Sequence, residues 1–189
     1  MRGTDKLMEP VEGVPLIRRQ AEMARAVTRG EVIIALPPTQ GPRHDALDDL
    51  DVTALPVADA DEGMNASLRS AVAALPPGSN AVMIILADLP ELTADDLKIV
   101  FQRVDLTSNT LIWRGATRDG QPGHPIVFAA SLFDALSKLR GDSGGREIVA
   151  SAKDRVALVA LPGQRARRDL DTPEDWIAWR NRNAAQHST

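Results

Sequence analysis

A chain of 189 residues, 43% hydrophobic and 25% charged, has an ordinary globular composition and is long enough to bury one core. Aromatic residues make up only 3% and Tyr is absent, so the core must be built from Val, Ile, Leu and Ala, as buried parallel strands usually are. The net charge of -4 offers no basic field for a nucleic acid backbone, and the lack of cysteine excludes a disulfide framework, a thiolate nucleophile and a Cys-ligated metal. No apolar run reaches the ~18 residues of a membrane span, and no basic-then-apolar segment opens the chain. The expectation is a cytoplasmic protein with no membrane partner, holding any phosphate-bearing ligand locally, through a few cations, backbone N–H groups or a metal.

Val14, Ile17, Ala21, Ala24 and Val27 recur at helical spacing and predict a helix over 14–29, stopped by Gly30. Glu31 to Leu36 is a short β-branched run closed by Pro37-Pro38, which predicts a buried strand. Residues 37–49 read as an irregular loop and 52–57 as a weaker strand. Leu68, Val72 and Leu75 share one face of a helix over 65–75, ended by Pro76-Pro77-Gly78. Ala81 to Ala87 is apolar at every position, the pattern of a central strand covered on both faces. Thr93 caps a predicted helix carrying Leu97, Val100, Phe101 and Val104. Strands follow at 111–113 and 126–128 around the turn-rich Arg118 to Gly123. Helices over 130–140 and 144–152, a strand over 155–161, and a helix from Pro173 to about Asn183 complete the series, with a frayed tail at 184–189. This alternation predicts one domain over 1–189: a doubly wound, mostly parallel α/β sheet in three α/β/α layers.

Ligands of an open α/β sheet bind at the carboxyl ends of its strands. There the most apolar strand delivers Asp88-Leu89-Pro90. A carboxylate straight after seven apolar residues is costly without a partner, and the residue before proline is held extended. Asp88 is therefore either a ligand for Mg²⁺, which takes one or two carboxylates and keeps waters or phosphates, or the cap of the next turn. In Asp169-Leu170-Asp171-Thr172-Pro173-Glu174-Asp175, either Asp171 or Thr172 can cap the helix that Pro173 opens. That leaves Asp169 or Asp171 to join Asp88. Gly63-Met64-Asn65-Ala66-Ser67 opens a helix whose first N–H groups could meet an anion or a base edge, or be capped by Asn65. His124, in Gln121-Pro122-Gly123-His124-Pro125, could orient a substrate or move a proton. Arg146, after Gly141-Asp142-Ser143-Gly144-Gly145, is oddly placed for a helix first turn and reads as the partner of an anion or of Asp142.

In their order along the chain, Asp5-Lys6-Leu7 with Pro10 and Pro15-Leu16, Gly63-Met64 with Ser67-Leu68, Ala87-Asp88-Leu89-Pro90, Gly123-His124-Pro125, Gly141-Asp142 with Gly144, and Asp169 to Asp175 resemble the MobA-like NTP transferases. Within them they resemble the molybdenum cofactor cytidylyltransferase branch. Family members open with a strand and a glycine-rich loop reading roughly Leu-Ala-Ala-Gly-x-Ser-x-Arg-Met-Gly, with a lysine soon after. Met1-Arg2-Gly3-Thr4-Asp5-Lys6 resembles the end of that motif, so the expectation is a sequence that starts after the strand and most of the loop.

The resemblance implies a Rossmann-like fold of the nucleotide-diphospho-sugar transferase type. It also implies transfer of CMP from CTP to molybdopterin cofactor with release of pyrophosphate. Asp88, with Asp169 or Asp171, would hold Mg²⁺, and Lys6 would stabilise the triphosphate. Gly63, Met64 and Ser67 would lie near the base or ribose, and His124 and Arg146 would face the pterin. The client would be an apo molybdoenzyme of the xanthine dehydrogenase type. The alternatives are a GTP-using or other small-molecule nucleotidyltransferase and a non-catalytic cofactor chaperone.

Overall fold

A computed structural model describes residues 5–186. Met1 to Thr4, where most of the loop-like stretch falls, and residues 187–189 of the expected tail lie outside them. Asp5 leads into a 3-10 turn, Lys6–Met8, followed by a hairpin of β1 (Pro10–Val11) and β2 (Val14–Pro15). Its two-residue loop, Glu12-Gly13, has positive φ at both positions, as a tight hairpin of this twist demands. The predicted first helix therefore starts later, as α1 (Leu16–Val27). Then come β3 (Ile33–Leu36), α2 (Pro42–Asp45), β4 (Thr53–Pro56), α3 (Met64–Ala73), β5 (Ala81–Ile84) and α4 (Ala94–Phe101). The second half holds β6 (Ile112–Ala116), β7 (Pro122–Ala129), α5 (Phe133–Ser137), α6 (Arg146–Ser151), β8 (Val156–Ala160) and α7 (Pro173–Gln186).

The four-stranded sheet has the order β5-β7-β6-β8. Its alternating side chains divide cleanly between two cores. Trp113, Val127 and Val159 face α1 and α4 through Met23, Leu97 and Val100, while Ile112, Ile126 and Phe128 face α3, α5 and α6 through Leu68, Leu136 and Ile148. This is the expected α/β fold in three layers, but the sheet is mixed. β6 and β8 pair in parallel, whereas β7 is antiparallel to both β5 and β6. The turn after Thr117, closed by Thr117 N–H on Gln121 O at 2.9 Å, is too short for a parallel crossover and permits only an antiparallel return. β7 also runs through Pro122 and Pro125, residues that read as turn. The ladder to β6 is irregular between Arg114 and Ala116, which accommodates them.

β3 and β4 form a separate parallel pair. Between β3 and β5 lies a cavity of about 480 Å³, lined by Val32 and Ile34 on one side and Met83 and Ile85 on the other, and reached by Ala24 of α1 and Ala71 of α3. Among the described residues each of these strands is paired along one edge only. The chain's most apolar strand is accordingly only half-buried at all of its positions, and its ladder ends at Ile84 rather than at Ala87.

Candidate functional site

Asp88 follows β5 on a turn fixed from beneath. Leu89 and Leu92 are buried, Gln20 donates to Leu89 O at 2.8 Å, and Arg19 donates to Pro90 O at 2.9 Å. Glu91 is held by Arg168 at 2.9 Å. The cap of α4 is Thr93, in a reciprocal box with Asp96, so Asp88 is not used for capping. One of its oxygens, Oδ2, accepts from Lys6 Nζ at 2.7 Å. The other, Oδ1, is buried and has no hydrogen-bond partner among the described residues.

Lys6 reaches Asp88 because its own turn is anchored. The Asp5 carboxylate accepts from Leu7 N–H at 3.0 Å and from two nitrogens of Arg43, at 2.7 and 2.8 Å. A bidentate guanidinium–carboxylate pair fixes orientation as well as distance. Lys6 Nζ also donates to Asp171 Oδ1 at 2.8 Å. Burial works to lower the Lys6 pKa, but the hydrogen bonds to Asp171 and Asp88 outweigh it and hold the ammonium above its usual range.

Thr172, not Asp171, caps α7: Thr172 Oγ1 accepts from Asp175 N–H at 3.1 Å, and Asp175 Oδ2 accepts from Thr172 N–H at 2.9 Å. The helix is docked by Trp176 and Trp179, buried with Leu170 against Val11 and Leu16. Asp169 is exposed on the same segment, and its side chain makes no contact with Lys6 or Asp88 among the described residues. Of the three aspartates read as metal ligands, the structure brings Asp88 and Asp171 together.

Among the described residues no three His, Cys, Asp or Glu side chains are grouped to hold a metal. Two features nevertheless fit a divalent cation. Asp88 and Asp171 converge on one positive group, the Lys6 ammonium. Asp88 Oδ1, without a partner among the described residues, offers a further lone pair. A Mg²⁺-type ion satisfied by one or two carboxylates and substrate oxygens suits that pair.

His124 lies beside this cluster, its Nδ1 3.5 Å from Ile84 O. Burial lowers its pKa to about 4, and the Arg114 charge acts in the same direction, so at neutral pH the ring is uncharged. Its backbone is tightly clamped. His124 N–H donates to Ala166 O at 2.7 Å. A Cβ on Gly123 would meet Ala166 O at 2.1 Å, and one on Gly115 would meet His124 O at 2.5 Å.

The Gly63 and Gly141 motifs form a second cluster. Asn65 does not cap its helix: it is buried and donates to Arg140 O at 2.6 Å and Ser143 Oγ at 2.9 Å. Asp142 Oδ1 supplies the cap instead, accepting from Met64 N–H at 2.7 Å. Gly63 is required there, with φ +106° and Asp142 where a Cβ would stand. Met64 and Ser67 line the cavity between β3 and β5. Arg146 is exposed, with Nε on Ser143 O at 3.0 Å, and no contact among the described residues joins it to Asp88 or Asp142.

The anchoring residues Arg19, Gln20 and Arg43 carried no sequence signal, since their partners are distant in the chain. Arg114 did carry one, as a charge inside the apolar run from Leu111.

Comparison with known proteins agrees with this architecture. The MobA-like NTP transferase domain matches residues 1–156. The purine catabolism protein PucB of Bacillus subtilis (strain 168) is 28% identical over 120 residues, 62% of this chain and 56% of that protein, so the chain spans little more than half of that relative. The crystal structure of Rv0371c from Mycobacterium tuberculosis H37Rv is 27% identical, with a TM-score of 0.76 over 94% of this chain and 89% of that one. The complex of Rv0371c with manganese is 25% identical, with a TM-score of 0.72 over 92% and 89%. The CMP:2-keto-3-deoxy-manno-octonic acid synthetase complexed with CTP, 12% identical, shares the fold with a TM-score of 0.74 over 96% and 92%.

Proposed function

This chain belongs to the MobA-like NTP transferase family, and we propose that it transfers CMP from CTP to molybdopterin cofactor, with release of pyrophosphate. The observation that carries this reading is the Lys6–Asp88–Asp171 cluster at the carboxyl end of β5. A terminal phosphate oxygen of the acceptor attacks the α-phosphorus of CTP, the bond to the β-phosphate oxygen breaks, and pyrophosphate leaves. The nucleophile is already an anion, so no general base is needed, and catalysis is positioning plus charge neutralisation. Lys6 neutralises the triphosphate. Asp88 and Asp171 would hold Mg²⁺, which supplies charge neutralisation when bound. Neutral His124 orients the acceptor. Met64 and Ser67, in the wall beside β5, would meet the nucleoside.

The manganese complex of Rv0371c supports a divalent cation, and the CTP complex of the octonic acid synthetase supports a cytidine nucleotide on this fold. The likeness to a purine catabolism protein supports a client of the xanthine dehydrogenase type. The two facing strand edges beside Asp88 support reading the cavity as the lane of the family's opening strand, whose loop would bring backbone N–H donors to the phosphates.

The test is pyrophosphate release from CTP, GTP and ATP, with and without molybdopterin cofactor. It is run on the 189-residue chain and on a form carrying the family's strand and loop ahead of Met1. CTP is expected to be the preferred donor. Equal or better use of GTP would remove the cytidylyl assignment, and cofactor binding without turnover by either form would make the protein a carrier.

A further inference from the structure

Two cations, Arg114 at His124 and Arg167 next to Ala166, have no paired carboxylate among the described residues. Arg114, half-buried in the middle of β6, uses only its Nε, donating to Gly123 O at 2.9 Å. Arg167 is exposed, and its guanidinium makes no hydrogen bond or ion pair among the described residues. The backbone brings them together. Arg114 is tied to Gly123, Gly123 is pressed against Ala166 O, and Arg167 is the next residue. Burial lowers the Arg114 pKa, and the Arg167 charge adds to that effect. The acid that faces Arg167 is Asp119, already engaged by Thr117 Oγ1 at 2.5 Å and by Gln164 Nε2 at 3.2 Å. Like charges partly removed from water cost free energy that an anion between them returns. The terminal N–H groups left on Arg114 form the planar fork that binds phosphate oxygens.

In the sheet order β5-β7-β6-β8, β7 with His124 lies between β5, which leads to Asp88, and β6, which carries Arg114. The arginines therefore lie on the far side of His124 from the Lys6 cluster. A transfer between two phosphate-bearing substrates must bring two anions together against their repulsion, which takes a cationic site for each. We infer that Arg114 and Arg167 form an anion subsite for the phosphate monoester of the acceptor, distinct from the Lys6 site for the nucleotide triphosphate. The assignment of this anion to the acceptor rests on the transferase reading above.

The test is equilibrium binding of phenyl phosphate and, separately, of CTP with Mg²⁺, to the wild type, Arg167→Ala and Arg114→Lys. Both variants should weaken phenyl phosphate at least fivefold while CTP affinity stays within twofold; Arg114→Lys keeps the charge and loses the fork. Unchanged phenyl phosphate affinity in both variants would overturn the subsite. Equal weakening of CTP would also overturn it, by giving the arginines to the nucleotide. Arg167 is exposed, so Arg167→Ala and Arg167→Glu remain informative if Arg114→Lys does not fold. In turnover, Arg167→Ala should raise the acceptor KM about tenfold, leaving the KM for CTP and kcat unchanged. Phenyl phosphate binding needs no turnover. A protein that binds it through these arginines but transfers no nucleotide keeps the subsite and loses the transferase reading; a protein that turns over CTP with Arg167→Ala neutral loses the subsite alone.

Discussion

Lys6 Nζ lies 2.7 Å from Asp88 Oδ2, although 82 residues separate them in the chain. The contact joins the first described turn to the end of the most apolar strand, and Asp171 completes it at 2.8 Å. The Asp88→Ala variant should lower nucleotidyl transfer at least ~100-fold, roughly 3 kcal/mol in the barrier. Its melting temperature should stay within a few degrees of wild type, since Asp88 caps no helix and Lys6 keeps Asp171. Wild-type turnover in this variant would refute the metal and phosphate role of Asp88.

The two aspartates that the sequence left as alternatives should separate in the same assay. Asp171→Asn removes a charge in contact with Lys6 and should lower turnover about tenfold or more, an effect of over ~1.4 kcal/mol. Asp169→Asn, exposed and outside the cluster, should change it less than about twofold. The reverse order would move the metal site to Asp169.

His124 should give the protein a pH-dependent stability of definite sign. Burial lowers its folded-state pKa to about 4, below the ~6.5 of an unfolded histidine. The unfolded chain therefore binds the extra proton first, and stability falls as pH drops through about 6.5 and levels off near the folded value. The loss is on the order of 2–3 kcal/mol. Urea unfolding of wild type and His124→Gln between pH 4 and 7 isolates this share from the carboxylates, and parallel curves for the two proteins would contradict it.

Gly123 is a packing requirement, because any Cβ there meets Ala166 O at 2.1 Å. Gly123→Ala should destabilise by about 3 kcal/mol through overpacking. Gly41→Ala, with nothing within 4 Å of the added carbon, should be within about 0.5 kcal/mol of wild type. Equal effects in denaturant titrations would show that the clamp on His124 is loose.

The cavity between β3 and β5 should bind an apolar dye, since its walls are largely apolar and the strand edges that face it are unpaired among the described residues. Adding the family's strand and loop ahead of Met1 should abolish dye binding. It should also raise the unfolding midpoint by several degrees, about 1 kcal/mol being worth roughly 2–4 °C in a chain of this size. A fluorescence titration and a thermal scan measure both effects, and an unchanged midpoint with dye still bound would show that the added strand does not enter the lane.

Local order was legible from the residues alone. The apolar run at 81–87, the Thr93 cap and the helical spacing after Leu16 each encode their element through a period or a cap that needs no distant partner. The same holds for Asp88 as a carboxylate at a strand end and for Thr172 as one of the possible caps. Other features depended on which segments meet. The antiparallel course of β7 follows from a short turn whose strands must pair, and the half-burial of β5 follows from the lane beside it. Asp171, not Asp169, reaches Lys6 because Trp176 and Trp179 seat α7 against Val11 and Leu16. Arg43 aims Lys6 by gripping Asp5, and Arg114 comes beside Arg167 only because two glycines let three backbones approach. Side-chain chemistry and local period are properties of neighbours in the chain. The distance between a lysine at position 6 and aspartates at 88 and 171 is a property of packed cores, and only the tertiary structure decides it.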